Sequence, residues 1–382
     1  MKPAEQERAP QPEGQAAAPD DAAGRRRSAD AESRRAPAEA SGESIERLTD
    51  LLHAVEGAKR LLVVTHDNPD PDALASAVGL AYLLESRAGM RPTLAFGGIV
   101  GRAENQALIS ELGTDFRRLG GRDGISPGTV VALVDTQPRA GNNALPAGRI
   151  ANVVIDHHPP RPESSASSFV DIRPEYGATC SILVEYLQAA ELEPGRRLAT
   201  GLFYGIQSET ADLGREVSQA DISASLYLYS RIDPEAYARI RHPPLPASYF
   251  RSVHQALEEA RRYGSVIVAP AGSLAYPDMV AELADLLIRA KGTEWSVALG
   301  RYRGRLLLSV RSSATSAHAG DLVRTVIGDR GSAGGHGMMA GGQVALDGLS
   351  DSEIDALSGS ILEDFLELLG VADETPKLLI GR

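Results

Sequence analysis

Val153-Val154-Ile155-Asp156-His157-His158-Pro159-Pro160 carries more structural information than any other segment of this chain. A run rich in β-branched residues ends in an acid and two imidazoles, and two prolines then stop the strand. A buried strand ending this way delivers polar side chains to the carboxyl edge of a sheet, where open α/β proteins hold their ligands. By itself the segment fits either a metal site or a hydrogen-bonded loop cap. The surrounding sequence has to choose between them.

The same pattern recurs on both sides. Leu61-Leu62-Val63-Val64-Thr65 reads as a buried strand that ends in His66-Asp67-Asn68-Pro69-Asp70-Pro71-Asp72. A helix is expected from Ala73 to about Arg87, with Leu74, Val78, Tyr82 and Leu83 at helical spacing. Thr93-Leu94-Ala95-Phe96 and Val130-Val131-Ala132-Leu133-Val134 read as strands, the second ending in Asp135. Helices are expected over 177–189 and 198–206, the latter leading into Gln207-Ser208-Glu209-Thr210-Ala211-Asp212-Leu213. A further helix, capped by Asp221, runs to about Ser230, and Ser44 is a candidate N-cap for a first helix. Strands alternating with helices imply an α/β fold with a parallel, doubly wound sheet.

Residues 1–44 hold almost no large apolar side chain and are expected to be a disordered tail. The main domain then covers 45–233. Pro234, Pro243, Pro244 and Pro246 mark an interdomain connection over 234–250. A smaller α/β substrate-binding domain is expected over 251–382. In it, strands at 295–302 and 306–311 flank an Arg303-Gly304 hairpin turn, and a Gly-rich loop runs from Gly331 to Gly342.

The chain has 382 residues, 51 acidic against 39 basic, and a net charge of −12. That balance argues against a bulk duplex-DNA binder, whose affinity comes mostly from phosphate neutralisation. The single cysteine, Cys180, excludes an internal disulfide and reads as a buried structural thiol. No apolar run reaches the roughly 18 residues of a membrane span, and no secretory signal is visible. A cytoplasmic location with no membrane partner is the expectation.

Four acid- or imidazole-bearing clusters follow apolar runs: His66, Asp70 and Asp72; Asp135; Asp156, His157 and His158; and Glu209 or Asp212. Taken singly, Asp70 or Asp72 could cap the next helix, and Asp135 could form a turn. In a parallel sheet, however, the strand ends share one edge, so the clusters meet. Carboxylates mixed with imidazoles and no thiolate favour Mn²⁺ or Mg²⁺ over structural zinc. About six ligands suit two ions, which together polarise a phosphoryl oxygen and activate water. Successive glycines at 331–342 could expose N–H groups as an anion nest, with His336 and Arg311 as added donors. His53, His242, His254 and His318 have no such setting.

Asp156-His157-His158 and His66-Asp67-Asn68-Pro69-Asp70-Pro71-Asp72-Ala73-Leu74-Ala75-Ser76 resemble the signatures of the DHH phosphoesterase superfamily. Val134-Asp135-Thr136 resembles its second motif. Gly334-Gly335-His336-Gly337 and the preceding Arg311-Ser312 resemble the motif of its C-terminal substrate-binding domain. The resemblance implies one Mn²⁺ on His66, Asp70 and Asp135, and a second on Asp72, Asp135, His157 and the fourth-motif acid, with Mg²⁺ as the alternative ion. It implies that His158 faces the scissile phosphate and that Asp156 orients a histidine. It also implies substrate binding by Arg311, Ser312, Gly334, Gly335, His336 and Gly337. Arg215 is a further candidate for phosphate.

Two positions depart from that pattern. Pro71 stands where glycine is usual, and the fourth motif reads Ser208-Glu209-Thr210 rather than Ser/Thr-Asp-Thr. Glu209 aligns with the ligand position, and Asp212 is the alternative. The expected activity is two-metal hydrolysis of short single-stranded RNA or a nucleotide phosphate. The competing expectations are a polyphosphatase or pyrophosphatase, and a degenerate nucleotide-binding regulatory protein. A homodimer is compatible with the chain.

Overall fold

The computed structural model describes residues 42–120, 125–146, 148–314 and 316–380, and for His336 the backbone alone. Residues 1–41, most of the expected tail, lie outside the described residues. Helix α1 spans Gly42–Val55, so Ser44 is not a cap. It lies inside the helix, buried, with its hydroxyl donating to Glu185.

Six strands form the first sheet: β1 (Leu61–Val64), β2 (Thr93–Phe96), β3 (Phe116–Arg118), β4 (Val130–Val134), β5 (Val153–Asp156) and β6 (Phe169–Ile172). All their pairings are parallel, in the order β3-β2-β1-β4-β5-β6. The interleaved helices are α2 (Pro71–Ala88), α3 (Ala103–Leu112), α4 (Thr179–Ala189), α5 (Arg196–Glu209), α6 (Gln219–Tyr229) and α7 (Pro234–Arg241). Because strand residues alternate faces, Val63, Val134 and Ile155 pack under the helices. Val64, Leu133 and Val154 pack on the other face against Leu119, Leu145 and Ile172. Burial on both faces, about 1.5–3 kcal/mol for each large aliphatic side chain, explains why these strands are continuous apolar runs.

The strand order reverses between β1 and β4. Connections leave these two neighbours in opposite directions, so a crevice opens at their carboxyl ends, the usual ligand position in such sheets. His66 to Asp72 follow β1, and Asp135 follows β4.

Several local expectations shift. Helix α6 is capped by Ser218, not by Asp221. The Asp221 carboxylate accepts from the Ser218 N–H as the other half of a capping box. Residues 234–250, read as a connection, contain α7, whose Pro234 takes the first helical position behind an Asp233 cap. Helix α8 (Ala247–Glu259) begins within the same segment.

The second sheet contains β7 (Arg261–Tyr263), β8 (Val266–Ser273), β9 (Trp295–Tyr302), β10 (Arg305–Ser312), β11 (Gly331–His336), β12 (Met339–Ala345) and β13 (Lys377–Leu378). Their order is β11-β12-β10-β9-β8-β7-β13, antiparallel except for the β8–β9 pair. Helices α9 (Met279–Leu287), α10 (Ala319–Ile327) and α11 (Asp351–Leu368) pack against it. Arg303 and Gly304 both take positive φ, as the tight β9–β10 hairpin needs. The Gly-rich segment is not a loop: Gly331 to Ala345 form a two-stranded ladder. Both sheets belong to one compact unit. No helix among the described residues is long and apolar enough to cross a membrane.

Candidate metal centre

The carboxyl ends of β1, β4 and β5 contribute to a single cluster. His66 Nδ1 is 3.0 Å from the Asp67 carbonyl, which orients the ring and leaves Nε2 for the crevice. That Nε2 lies 3.4 Å from Asp70 Oδ2 and 3.5 Å from Asp135 Oδ2. Asp70 uses its two oxygens differently. One oxygen accepts from the Ala73 N–H as the cap of α2, and the other faces His66. Asp135 has a positive φ of 60°, which ends β4 and turns its buried carboxylate into the cluster.

On the other side of Asp135, Oδ1 lies 3.6 Å from His157 Nε2 and 3.9 Å from His158 Nδ1. It also accepts from the Thr179 hydroxyl at 2.8 Å. Two sets of potential cation ligands therefore share Asp135: His66, Asp70 and Asp135, and Asp135, His157 and His158. His157 is fixed by Nδ1, 3.2 Å from the Tyr176 carbonyl, and its buried Nε2 has no hydrogen-bond partner. A buried imidazole nitrogen left without a partner beside a carboxylate is what a metal ligand requires.

Asp156 is buried and belongs to neither set, but it holds two members of the second. Its Oδ1 accepts from the His157 and His158 N–H groups and lies 2.8 Å from His158 Nδ1. Although burial opposes both charges, this pairing holds the Asp156 carboxyl below its ordinary value and raises His158 to about 10.

The carboxylates crowd one another. Burial, then the fields of Asp135, Asp70 and Glu209, push Asp72 well above the usual carboxylate range. Burial and Asp70 raise Glu209 as well. For Asp70, burial is outweighed by His66, which pulls its carboxyl down. Such mutual repulsion is relieved by cations, and the donor set of carboxylates and imidazoles suits hard divalent ions.

Other expected residues stand differently. Asp72 belongs to neither set: its Oδ1 and Oδ2 accept from the Cys180 and Thr179 N–H groups at 2.8 and 2.7 Å, at the start of α4. Glu209 ends α5 and lines the cleft. Asp212, the alternative, stands apart from both sets. Three consecutive positive φ angles at 211–213 turn it to the surface, where Arg241 holds both its oxygens at 2.6 Å. Arg215 donates to the Glu209 carbonyl at 2.8 Å. Cys180 is a buried thiol, as expected.

A cleft of about 1010 Å³ runs from Asp156, His158 and Glu209 to the second sheet. Arg311, Gly334, Gly335 and Gly337 line it, together with Arg161, His318 and Arg324. Arg311 pairs with Asp285 at 2.5 Å. Ser312 is buried and turns its Oγ to the Ala314 N–H. Gly334 and Gly335 lie on β11, the edge strand of the sheet, paired in register with β12 on one side. Of His336 only the backbone, in β11, lies within the described residues. Thr179, Tyr176 and Gln137 carry no motif signal in the sequence, yet each touches the cluster or holds a residue in it.

The model of the DHH family, N-terminal domain, matches residues 60–206. An uncharacterized protein of Methanocaldococcus jannaschii, MJ1633, is 33% identical over 322 residues, covering 82% of this chain. The chain spans only 65% of that relative's length. The bifunctional oligoribonuclease and PAP phosphatase NrnA of Thermus thermophilus is 25% identical over 278 residues, 71% of this chain and 81% of the relative. Among solved structures, an exopolyphosphatase-related protein from Bacteroides fragilis superposes with a TM-score of 0.65 at 15% identity, covering 85% of this chain and 98% of that one. This last likeness concerns the fold.

Proposed function

We propose that this chain, whose residues 60–206 match the DHH family N-terminal domain, is a metal-dependent phosphoric-ester hydrolase of the DHH phosphoesterase superfamily acting on short oligoribonucleotides or nucleotide phosphates. The observation that carries this reading is Asp135, one carboxylate shared by two ligand sets at the switch point of the sheet. A pair of divalent ions, Mn²⁺ or Mg²⁺, would polarise the phosphoryl group and supply hydroxide near neutral pH.

The protein's own groups divide the remaining work. His66 and Asp70 would hold one ion with Asp135. His157 would hold the other with Asp135, and Glu209, which lines the cleft beside them, would complete that set. His158 is assigned to the phosphate. Its side chain is 38% exposed to the cleft against 6% for His157, and Asp156 keeps its Nδ1 occupied. Arg161, Arg311 and Arg324 on the cleft walls suit an anionic chain longer than one phosphate. NrnA, by its name, acts on oligoribonucleotides and PAP, which supports the same substrate class. A cytoplasmic site of action fits such substrates.

The test is hydrolysis with added Mn²⁺ of a panel: 5′-phosphorylated di- to pentaribonucleotides, adenosine 3′,5′-bisphosphate, pyrophosphate and polyphosphate. Turnover of the first two classes is expected. Activity confined to polyphosphate or pyrophosphate would replace this reading with a polyphosphatase, and activity unchanged in Asp135→Asn would refute the site.

A further inference from the structure

Gln137 lies two residues beyond Asp135 and is 2% exposed, yet it reaches the inner end of the cleft. Its Nε2 donates to Asp156 Oδ2 at 2.7 Å and to the Pro159 carbonyl at 3.1 Å, with the His158 carbonyl at 3.4 Å. Its Oε1 accepts from the Arg161 N–H at 2.7 Å and from the Ser164 hydroxyl at 3.0 Å. The Gln137 carbonyl in turn accepts from Asn143 Nδ2 at 2.9 Å, anchoring the residue from behind. One carboxamide thus clamps the whole segment from Asp156 to Ser164.

The clamp connects directly to the chemistry. Gln137 holds one oxygen of Asp156, and the other oxygen holds His158 Nδ1 and the N–H groups of His157 and His158. The far end of the amide fixes the backbone that presents Arg161 on the cleft wall. A carboxamide offers an NH₂ donor and a carbonyl acceptor in one rigid plane. A glutamate here would turn a carboxylate onto Asp156. An apolar side chain would leave the Asp156 oxygen and the Arg161 N–H without these partners.

We propose that Gln137 is a positioning residue that aligns His158 through Asp156 and sets the Arg161 loop. This inference rests on the hydrolase reading above. The test compares full-length wild type, Gln137→Met, Gln137→Glu, His158→Ala and the Gln137→Met/His158→Ala pair. Turnover of a 5′-phosphorylated diribonucleotide in Mn²⁺ is expected to fall about 10- to 100-fold in Gln137→Met, the range for groups that orient an active-site ligand. In the His158→Ala background the same change should cost less than about threefold, because residues acting through one another are non-additive. An equal loss in both backgrounds means general loop stability and overturns the proposal. So does wild-type activity in Gln137→Glu, the near-isosteric variant that carries the test if the Met variant does not fold.

Histidine-selective ¹⁵N labelling supplies a readout independent of turnover. The His158 Nδ1–H signal is expected in wild type and to be lost or shifted in Gln137→Met, and an unchanged signal overturns the proposal. A wild type inactive on every substrate would sink the hydrolase reading, while the ring signal would still judge Gln137.

Discussion

Glu209 and Asp212 stand three residues apart at the end of α5, and backbone conformation separates them. Glu209 stays on the helix and faces the cleft. Past the helix end, left-handed residues at 211–213, costly for side chains other than glycine, swing Asp212 outward to Arg241. Glu209→Gln is expected to weaken binding of one of two Mn²⁺ ions at least about 10-fold, read by titration with electron paramagnetic resonance. Asp212→Asn should leave both ions and turnover within about twofold. A loss of the second ion in Asp212→Asn alone would transfer the ligand role. His66, Asp70, Asp135 and His157 are legible in the sequence because each follows an apolar strand, and parallel strands end on one edge. The choice between Glu209 and Asp212 is not legible, since no residue type announces three left-handed positions in a row. Asp72 shows a related limit. An acid two residues after another reads as a second ligand, and nothing local announces that its two oxygens also accept from the first N–H groups of α4, 107 and 108 residues away.

Among the secondary elements, the Gly-rich hairpin shows where local signals stop. Glycine has low strand propensity, so the segment reads as a loop, and only its surroundings make it β11 and β12. A Cβ on Gly320 in α10 would lie 2.0 Å from the Gly335 carbonyl oxygen. Helix and hairpin therefore touch backbone to backbone. Gly320→Ala must push α10 off β11 and is expected to cost about 1–3 kcal/mol, the usual penalty of overpacking. Gly359 is the matched control: it lies within α11 with nothing inside 4 Å of its Cβ position. Gly359→Ala should stabilise by about 0.5–1 kcal/mol through helix propensity. Urea unfolding followed by the fluorescence of Trp295, the only tryptophan, reads both. Equal effects at the two positions would contradict the close approach. The core strands are legible for the opposite reason, because burial on both faces writes itself as consecutive Val, Leu and Ile. Strand β3 hides because it is short and polar, and β6 because it is four residues long with an acid inside its apolar run. Asp171 of β6 is buried but is paired with Arg173 and bonded by Tyr186, partners that a one-dimensional pattern cannot show.

At the scale of the whole molecule, the two sheets meet through charge as well as packing. Arg102, the residue before α3, sits 3.7 Å from both Glu282 and Asp285 of α9, and Asp285 also holds Arg311 on the cleft wall. Closing this contact buries Glu282. Burial raises its carboxyl from 4.5 to about 6, and Glu104 and Asp278 add to the rise, against the opposing pull of Arg102 and the Tyr276 hydroxyl. The folded protein therefore retains a proton on Glu282 over a range where the unfolded chain has lost it. The associated stability is fully present below pH 4.5 and falls as pH rises through about 6. Such a rise is worth about 2 kcal/mol. Glu282→Gln cannot titrate, so the stability difference between wild type and variant should drift by about 2 kcal/mol between pH 4 and 7, with wild type losing ground. Trp295 lies in the same half of the molecule as Glu282, so urea midpoints taken from its fluorescence at each pH measure the drift. A constant difference would mean that Glu282 is ionised throughout and that its attraction to Arg102 outweighs its burial where the two sheets meet.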